Sequence, residues 1–156
     1  MGKIVNWHEL KEAVEKHKSR GEKVVFTNGC FDIIHVGHIR YLKEAKKLGD
    51  ILIIGLNSDD SVSKIKPGRP IINESQRAEV LASLKMVDYV TIFDQETPYE
   101  LISFIQPDIL VKGGDWEKDK IIGSDLVKET YSLEYIKDIS TTEIINKIKK
   151  LTGVRS

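Results

Sequence analysis

Two histidines three residues apart, with a glycine between them, close the stretch Thr27-Asn28-Gly29-Cys30-Phe31-Asp32-Ile33-Ile34-His35-Val36-Gly37-His38. Residues at that spacing share one side of a helix, so the His35 and His38 imidazoles can converge near the positive end of a helix dipole. Gly37 leaves room beside them for a bulky anion. Gly29 permits a positive φ and a close approach of the main chain, so backbone N–H groups of this turn can cradle phosphate. The chemistry such an array could serve is in-line displacement at the α-phosphate of a nucleoside triphosphate, where charge builds on the phosphate oxygens and on the departing pyrophosphate. That step calls for positioned donors and no protein nucleophile. An acceptor that is itself a phosphate is already anionic and requires no strong general base. Blander readings stand beside this one: a loop histidine is commonly a surface or satisfied core residue, and a His-x-Gly-His arises by chance. Zinc is disfavoured, because no Glu or third His lies nearby at ligand spacing. Cys30 has no base at a readable spacing to activate it and reads as a small packing residue of the turn.

The elements that must hold these residues follow from periodicity. Leu10, Ala13 and Val14 recur at helical spacing between Trp7 and Arg20, a leader helix stopped by Gly21. Lys23–Thr27 is a short β-branched and aromatic run, which suits a strand buried on both faces of a parallel sheet. Val36–Leu48 reads as a helix ended by Gly49. The alternation then repeats: strand Ile51–Leu56, a loop over Ser58–Ile71, and a helix that Asn73 and Gln76 begin as a capping box, with Ala78, Leu81, Ala82 and Leu84 as its apolar stripe. Strand Tyr89–Phe93 follows. Thr97, Pro98 and Glu100 supply N-cap, first-turn proline and box partner for a helix ending near Pro107, and Ile109–Val111 is the next strand. Beyond Gly113 and Gly114 the pattern weakens to a loop, a short helix over Ser124–Thr130, a strand at Leu133–Ile136, and a final helix through Ile144, Ile145, Ile148 and Leu151. The pattern predicts an α/β fold: one doubly wound, mostly parallel Rossmann-like sheet with helices on both faces. In such sheets ligands bind outside the carboxyl ends of the strands, at the point where strand order reverses.

The totals narrow the class. The chain has 156 residues, 40% hydrophobic and 31% charged, the size and mixture of one globular domain. The expected division is a leader helix over 1–22, a nucleotidyltransferase domain over 23–151 and a tail over 152–156. Lys plus Arg and Asp plus Glu each number 24, so no global field recruits nucleic acid or an anionic membrane, and phosphate binding must be local. No apolar run approaches the roughly 18 residues of a membrane span, and the start lacks the core of a secretory signal, which points to the cytoplasm. A single cysteine excludes an internal disulfide and a cysteine-built zinc site. Neither a Gly-x4-Gly-Lys-Ser/Thr loop nor a GxGxxG after the first strand is present, which argues against a P-loop NTPase and a dinucleotide oxidoreductase.

Gly29-Cys30-Phe31-Asp32 through His38 resembles the signature of the HxGH-containing cytidylyltransferase-like superfamily. The wider set, Asn57-Ser58-Asp59, Arg69-Pro70, Arg77, Val87-Asp88, Thr97-Pro98, Pro107-Asp108 and Leu110 to Asp115, resembles the D-glycero-β-D-manno-heptose 1-phosphate adenylyltransferase family over about Val24 to Ile148. The resemblance implies that His35, His38 and Lys64 are catalytic. It places nucleotide on Thr27, Asn28, Gly29, Cys30, Phe31, Gly37, Lys112, Gly113, Ser140, Thr141 and Thr142. It places the acceptor on Asp32, Asn57, Asp59, Lys66, Arg77, Gly114 and Asp115, with no metal-ligating side chain assigned. Read alone, Ser140-Thr141-Thr142 is an N-cap and Lys112-Gly113-Gly114 a strand-to-loop turn. The sequence departs from the family pattern at Lys85, where relatives often have arginine, and at Glu129-Thr130-Tyr131-Ser132, where a Gly-Gly pair is common. The implied reaction is ATP plus heptose 1-phosphate giving ADP-heptose and pyrophosphate, with Mg2+ on the triphosphate. Glycerol phosphate with CTP, and a non-catalytic nucleotide-binding module, are the alternatives. A homodimer and a separate upstream sugar kinase are the implied partners, since the length leaves no room for a kinase domain.

Overall fold

The computed structural model describes residues 1–134 and 139–153. Six strands, β1 (Lys3–Ile4), β2 (Val24–Gly29), β3 (Ile51–Asn57), β4 (Tyr89–Phe93), β5 (Ile109–Gly113) and β6 (Glu129–Leu133), form one sheet in the order β1-β4-β3-β2-β5-β6. Every adjacent pair is parallel. The helices are α1 (Trp7–Ser19), α2 (Val36–Lys46), α3 (Asp59–Ile65), α4 (Glu74–Ala82), α5 (Tyr99–Ile105) and α6 (Thr141–Thr152). One face of the sheet packs under α2 and α4 through Leu42, Ala45, Ala78 and Leu81, and the other under α1 and α5 through Leu10, Val14, Leu101 and Ile102. Coverage on both faces is why β3 is buried at every position and reads as a continuous apolar run.

The chain leaves β2 for β3 on one side and reaches β5 on the other, so strand order reverses at the carboxyl ends of β2 and β5. The opposite end of the sheet is tied by three aspartates, each standing just before a strand. Asp50 accepts from the N–H of Lys23 at 2.7 Å, Asp108 from that of Val24 at 2.9 Å and Asp88 from that of Leu52 at 2.8 Å. Each carboxylate satisfies a backbone donor that the first rungs of the ladder leave unpaired.

Several elements differ from the sequence expectation. The first long strand continues through Asn28 and Gly29, because both pair in register with β3. A two-residue strand at Lys3–Ile4 pairs with β4 ahead of the leader helix. The stretch expected as a loop over Ser58–Ile71 contains α3: Ser58 caps it by accepting from Ser61 N, and Asp59 and Asp60 occupy its first turn. Thr97 does not cap α5; Pro98 takes that place with no side-chain cap bond. The helix expected over Ser124–Thr130 is a single 3-10 turn, Ser124–Leu126. The strand that follows is β6, which begins at Glu129 and not at Leu133; of the expected strand, Tyr135 and Ile136 lie outside the described residues.

Candidate active site

His35 and His38 open α2 at the point where strand order reverses, and they cap the helix themselves. His35 is the N-cap, its Nδ1 accepting from Gly37 N at 3.1 Å, and His38 Nδ1 accepts from His35 N at 3.2 Å. The rings stack, with centroids 3.9 Å apart and planes tilted by 33°. Burial lowers the His35 pKa. Burial first, then the charges of His35 and Lys66, push His38 down to about 4. Both rings are therefore neutral at neutral pH, and because each Nδ1 is occupied as an acceptor, the proton sits on Nε2. The outcome is two N–H donors at a helix N-terminus, fixed by backbone bonds. Gly37 is required by the same packing: a Cβ there would lie 2.8 Å from the His35 ring.

The turn before them is built around Phe31, whose φ of 45° is left-handed and rare for an aromatic residue. That conformation folds the Phe31 ring under Gly29, where a Cβ would meet it at 2.8 Å, and sets it 5.3 Å from the His38 ring. The backbone of Asn28, Gly29 and Cys30 is thereby left facing an open cleft of about 1360 Å3. Across it stand Lys112 and Gly113 at the end of β5, and Ser140, Thr141 and Thr142 at the start of α6. Ser140 Oγ accepts from Glu143 N at 3.1 Å, the cap read from sequence, while Thr141 Oγ1 donates to Ile33 O at 3.2 Å and ties α6 to the histidine loop. Two helix N-termini thus open into one cleft. Burial lowers the Lys112 pKa, with a nearby Cys30 opposing and Lys66 adding to the shift.

Of the residues expected to meet the acceptor, Asp32, Asn57 and Lys66 line the cleft. The Asp32 carboxylate is already committed: it accepts from Ile71 N at 2.8 Å and Ile72 N at 2.9 Å and so pins the loop between α3 and α4. Lys64, Asp59, Gly114 and Asp115 do not line the cleft, nor does Thr27, whose hydroxyl bonds Tyr41 at 2.6 Å beneath it. Gly114 takes a φ of 111° and its N–H donates to Leu133 O at 2.7 Å, turning the chain from β5 toward β6.

Arg77 is 1% exposed and also stands outside the cleft. Its guanidinium donates to Cys30 O at 2.6 Å, Asn57 O at 2.9 Å and Ile72 O at 2.8 Å, and pairs with Asp59 at 2.8 Å. It holds three cleft loops in register from behind. Among the cleft residues to which the sequence reading gives no role are Arg69 and Trp116. Trp116 is 49% exposed, its Nε1 donates to Gly113 O at 3.0 Å, and Lys112 Nζ lies 5.6 Å from its ring centroid. An exposed aromatic two residues past a Gly-Gly pair was the only available signal for it.

Among the described residues no group of three or more His, Cys, Asp or Glu side chains converges as a metal cage. No helix of the described residues is long and apolar enough to cross a membrane.

A cytidylyltransferase-like family model matches residues 26–147. The chain is 51% identical over 148 residues to the bifunctional protein HldE of Wolinella succinogenes, covering 94% of this chain and 31% of that protein. It is 54% identical over 133 residues to the protein of the same name from Campylobacter jejuni subsp. doylei, covering 85% of this chain and 29% of the relative. The chain thus spans about a third of the length of these relatives. Among solved structures, the lipopolysaccharide core biosynthesis protein from Thermoplasma volcanium GSS1 is 30% identical with a TM-score of 0.65, over 75% of this chain and 100% of that one. Pantoate-β-alanine ligase from Francisella tularensis, 17% identical, shares the fold with a TM-score of 0.61 over 98% of this chain and 80% of that one.

Proposed function

The chain belongs to the cytidylyltransferase-like family, and on that premise we propose that it transfers AMP from ATP to a sugar 1-phosphate, D-glycero-D-manno-heptose 1-phosphate, giving ADP-heptose and pyrophosphate. The observation that carries this reading is the pair of stacked imidazoles, each with its Nδ1 bonded to a backbone N–H, lining a cleft between two helix N-termini. An acceptor phosphate oxygen forms a bond to the α-phosphorus while the bond from that phosphorus to the pyrophosphate oxygen breaks and its electron pair leaves with pyrophosphate. No proton need be removed from the nucleophile. His35 and His38 donate to oxygens whose charge grows in the transition state, Lys112 and Lys66 add positive charge, and the Asn28–Cys30 backbone orients the nucleotide. A divalent cation such as Mg2+, held by the triphosphate, would neutralise part of the charge that these donors also meet. Lys64, Asp59, Gly114 and Asp115 act, in this reading, by supporting the loops that carry these groups. The substrate is supplied by a sugar kinase, the reaction runs in the cytoplasm where ATP is available, and the protein associates as a homodimer.

The sugar and the base rest on the motif resemblance and on the relatives, and the experiment must vary both. Pyrophosphate release measured across ATP and CTP against heptose 1-phosphate, hexose 1-phosphates and glycerol 3-phosphate is expected to peak at ATP with heptose 1-phosphate. Turnover with CTP alone would overturn the heptose assignment, and ATP binding without product from any acceptor would make the protein a nucleotide-binding module.

A further inference from the structure

Arg69 projects into the cleft from the loop between α3 and α4, and its surroundings fix where it points. Immediately after it, Ile71 N and Ile72 N are bound by Asp32, and Ile72 O is bound by Arg77 Nε at 2.8 Å. Its guanidinium reaches across to α6 and donates through Nη2 to Thr142 Oγ1 at 3.0 Å. One of its five donors is thereby used within the protein. On one side of Arg69 lies the Ser140–Thr142 helix start; on the other, in its own loop, lies Lys66, whose charge is felt at both His38 and Lys112. The reaction must bring two anions, a triphosphate and a sugar phosphate, within bonding distance of each other. A planar guanidinium offers its donors in a fixed fork that can address two phosphate groups at once, where a lysine ammonium acts as a rotatable point charge.

We propose that Arg69 binds phosphate oxygens of both substrates, bridging the nucleotide and the acceptor across the junction where they react, and that Thr142 helps hold it in position. This rests on the nucleotidyltransferase reading, and the test separates the two. Arg69→Ala, Arg69→Lys and Thr142→Val are compared with wild type by calorimetric titration with α,β-methylene-ATP and, separately, with heptose 1-phosphate; no turnover is needed. Arg69→Ala is expected to weaken each ligand about tenfold, the scale of one lost charge-assisted hydrogen bond, with little change in melting temperature. Arg69→Lys restores part of each affinity, and Thr142→Val, which loosens the guanidinium without removing it, costs each ligand less than Arg69→Ala does. Equal losses in Arg69→Ala and Thr142→Val would show that the residue serves only to dock α6 and would overturn the proposal, as would a loss confined to one ligand. Failure of wild-type turnover with every acceptor would sink the enzyme reading instead, while the two titrations still decide Arg69.

Discussion

The His35–His38 pair shows how a residue can be positioned by the job it does for the backbone. Each Nδ1 accepts a main-chain N–H at the start of α2, so the tautomer of each ring is set by helix capping and not by a carboxylate partner. In the proposed reaction His38→Ala removes one transition-state donor along with one capping bond, and is expected to lower kcat/KM by about a hundredfold or more while costing roughly 1 kcal/mol of stability. Steady-state kinetics beside a urea melt checks both, and a collapse of stability with activity per folded molecule intact would refute the donor role. The low His38 pKa has its own signature. An unfolded histidine takes up a proton near pH 6.5 and the folded one near 4, so protonation favours the unfolded chain as pH falls through that window. Melting temperature is therefore expected to drop between pH 6.5 and 4.5 by less in His38→Gln than in wild type; equal drops would show that His38 is not held neutral. Gly37→Ala drives a methyl group into the His35 ring, and the expected result is a tenfold or greater fall in kcat with the fold retained, read by kinetics and circular dichroism.

Among the elements, the most informative are those joined from behind by Arg77. A fully buried guanidinium bonded to three carbonyls and a carboxylate withdraws a donor from all four when it is removed, and only the Asp59 carboxylate, 39% exposed, can readily turn to water instead. Arg77→Met is expected to cost about 3 kcal/mol or more, with faster amide exchange at Ile71 and Ile72; a variant as stable as wild type would mean that the loops hold themselves. This role was not legible from sequence, because an arginine in the first turn of an amphipathic helix looks solvated until the loops of β2 and β3 are placed around it. The four central strands were legible because double-sided burial demands unbroken β-branched runs. What failed was written more weakly: α3 is only seven residues long and rich in Ser and Lys, although Ser58-Asp59-Asp60 is a sound helix start. β6 is only partly buried and lacks the apolar run that marks an interior strand, so its start was misplaced. The histidine turn, the Lys112-Gly113 strand end and the Ser140 cap were readable because each is a local motif. Their convergence followed once strand order reversed between β2 and β5.

At the scale of the whole molecule, net charge is zero and the cations that matter are gathered in one cleft, so ligand affinity is local and not a property of the global field. Ligand binding to the folded state alone raises stability by about 2.7 kcal/mol at a hundred times Kd, which for a chain of this size is a melting-temperature rise of roughly 5 to 10 °C. Mg-ATP is expected to produce that rise and Mg-CTP a smaller one in a thermal-shift titration; the reverse order would move the base assignment to cytosine. The aspartates at Asp50, Asp88 and Asp108 give this molecule a foundation and a working end. Because the strands are riveted together on the side away from the cleft, the loops at the opposite rim are relieved of most of the burden of keeping neighbours aligned. A substitution in that basement changes how often the protein is folded, whereas one at the rim changes what it does when folded. New specificities are therefore open to such a chain without its architecture being renegotiated.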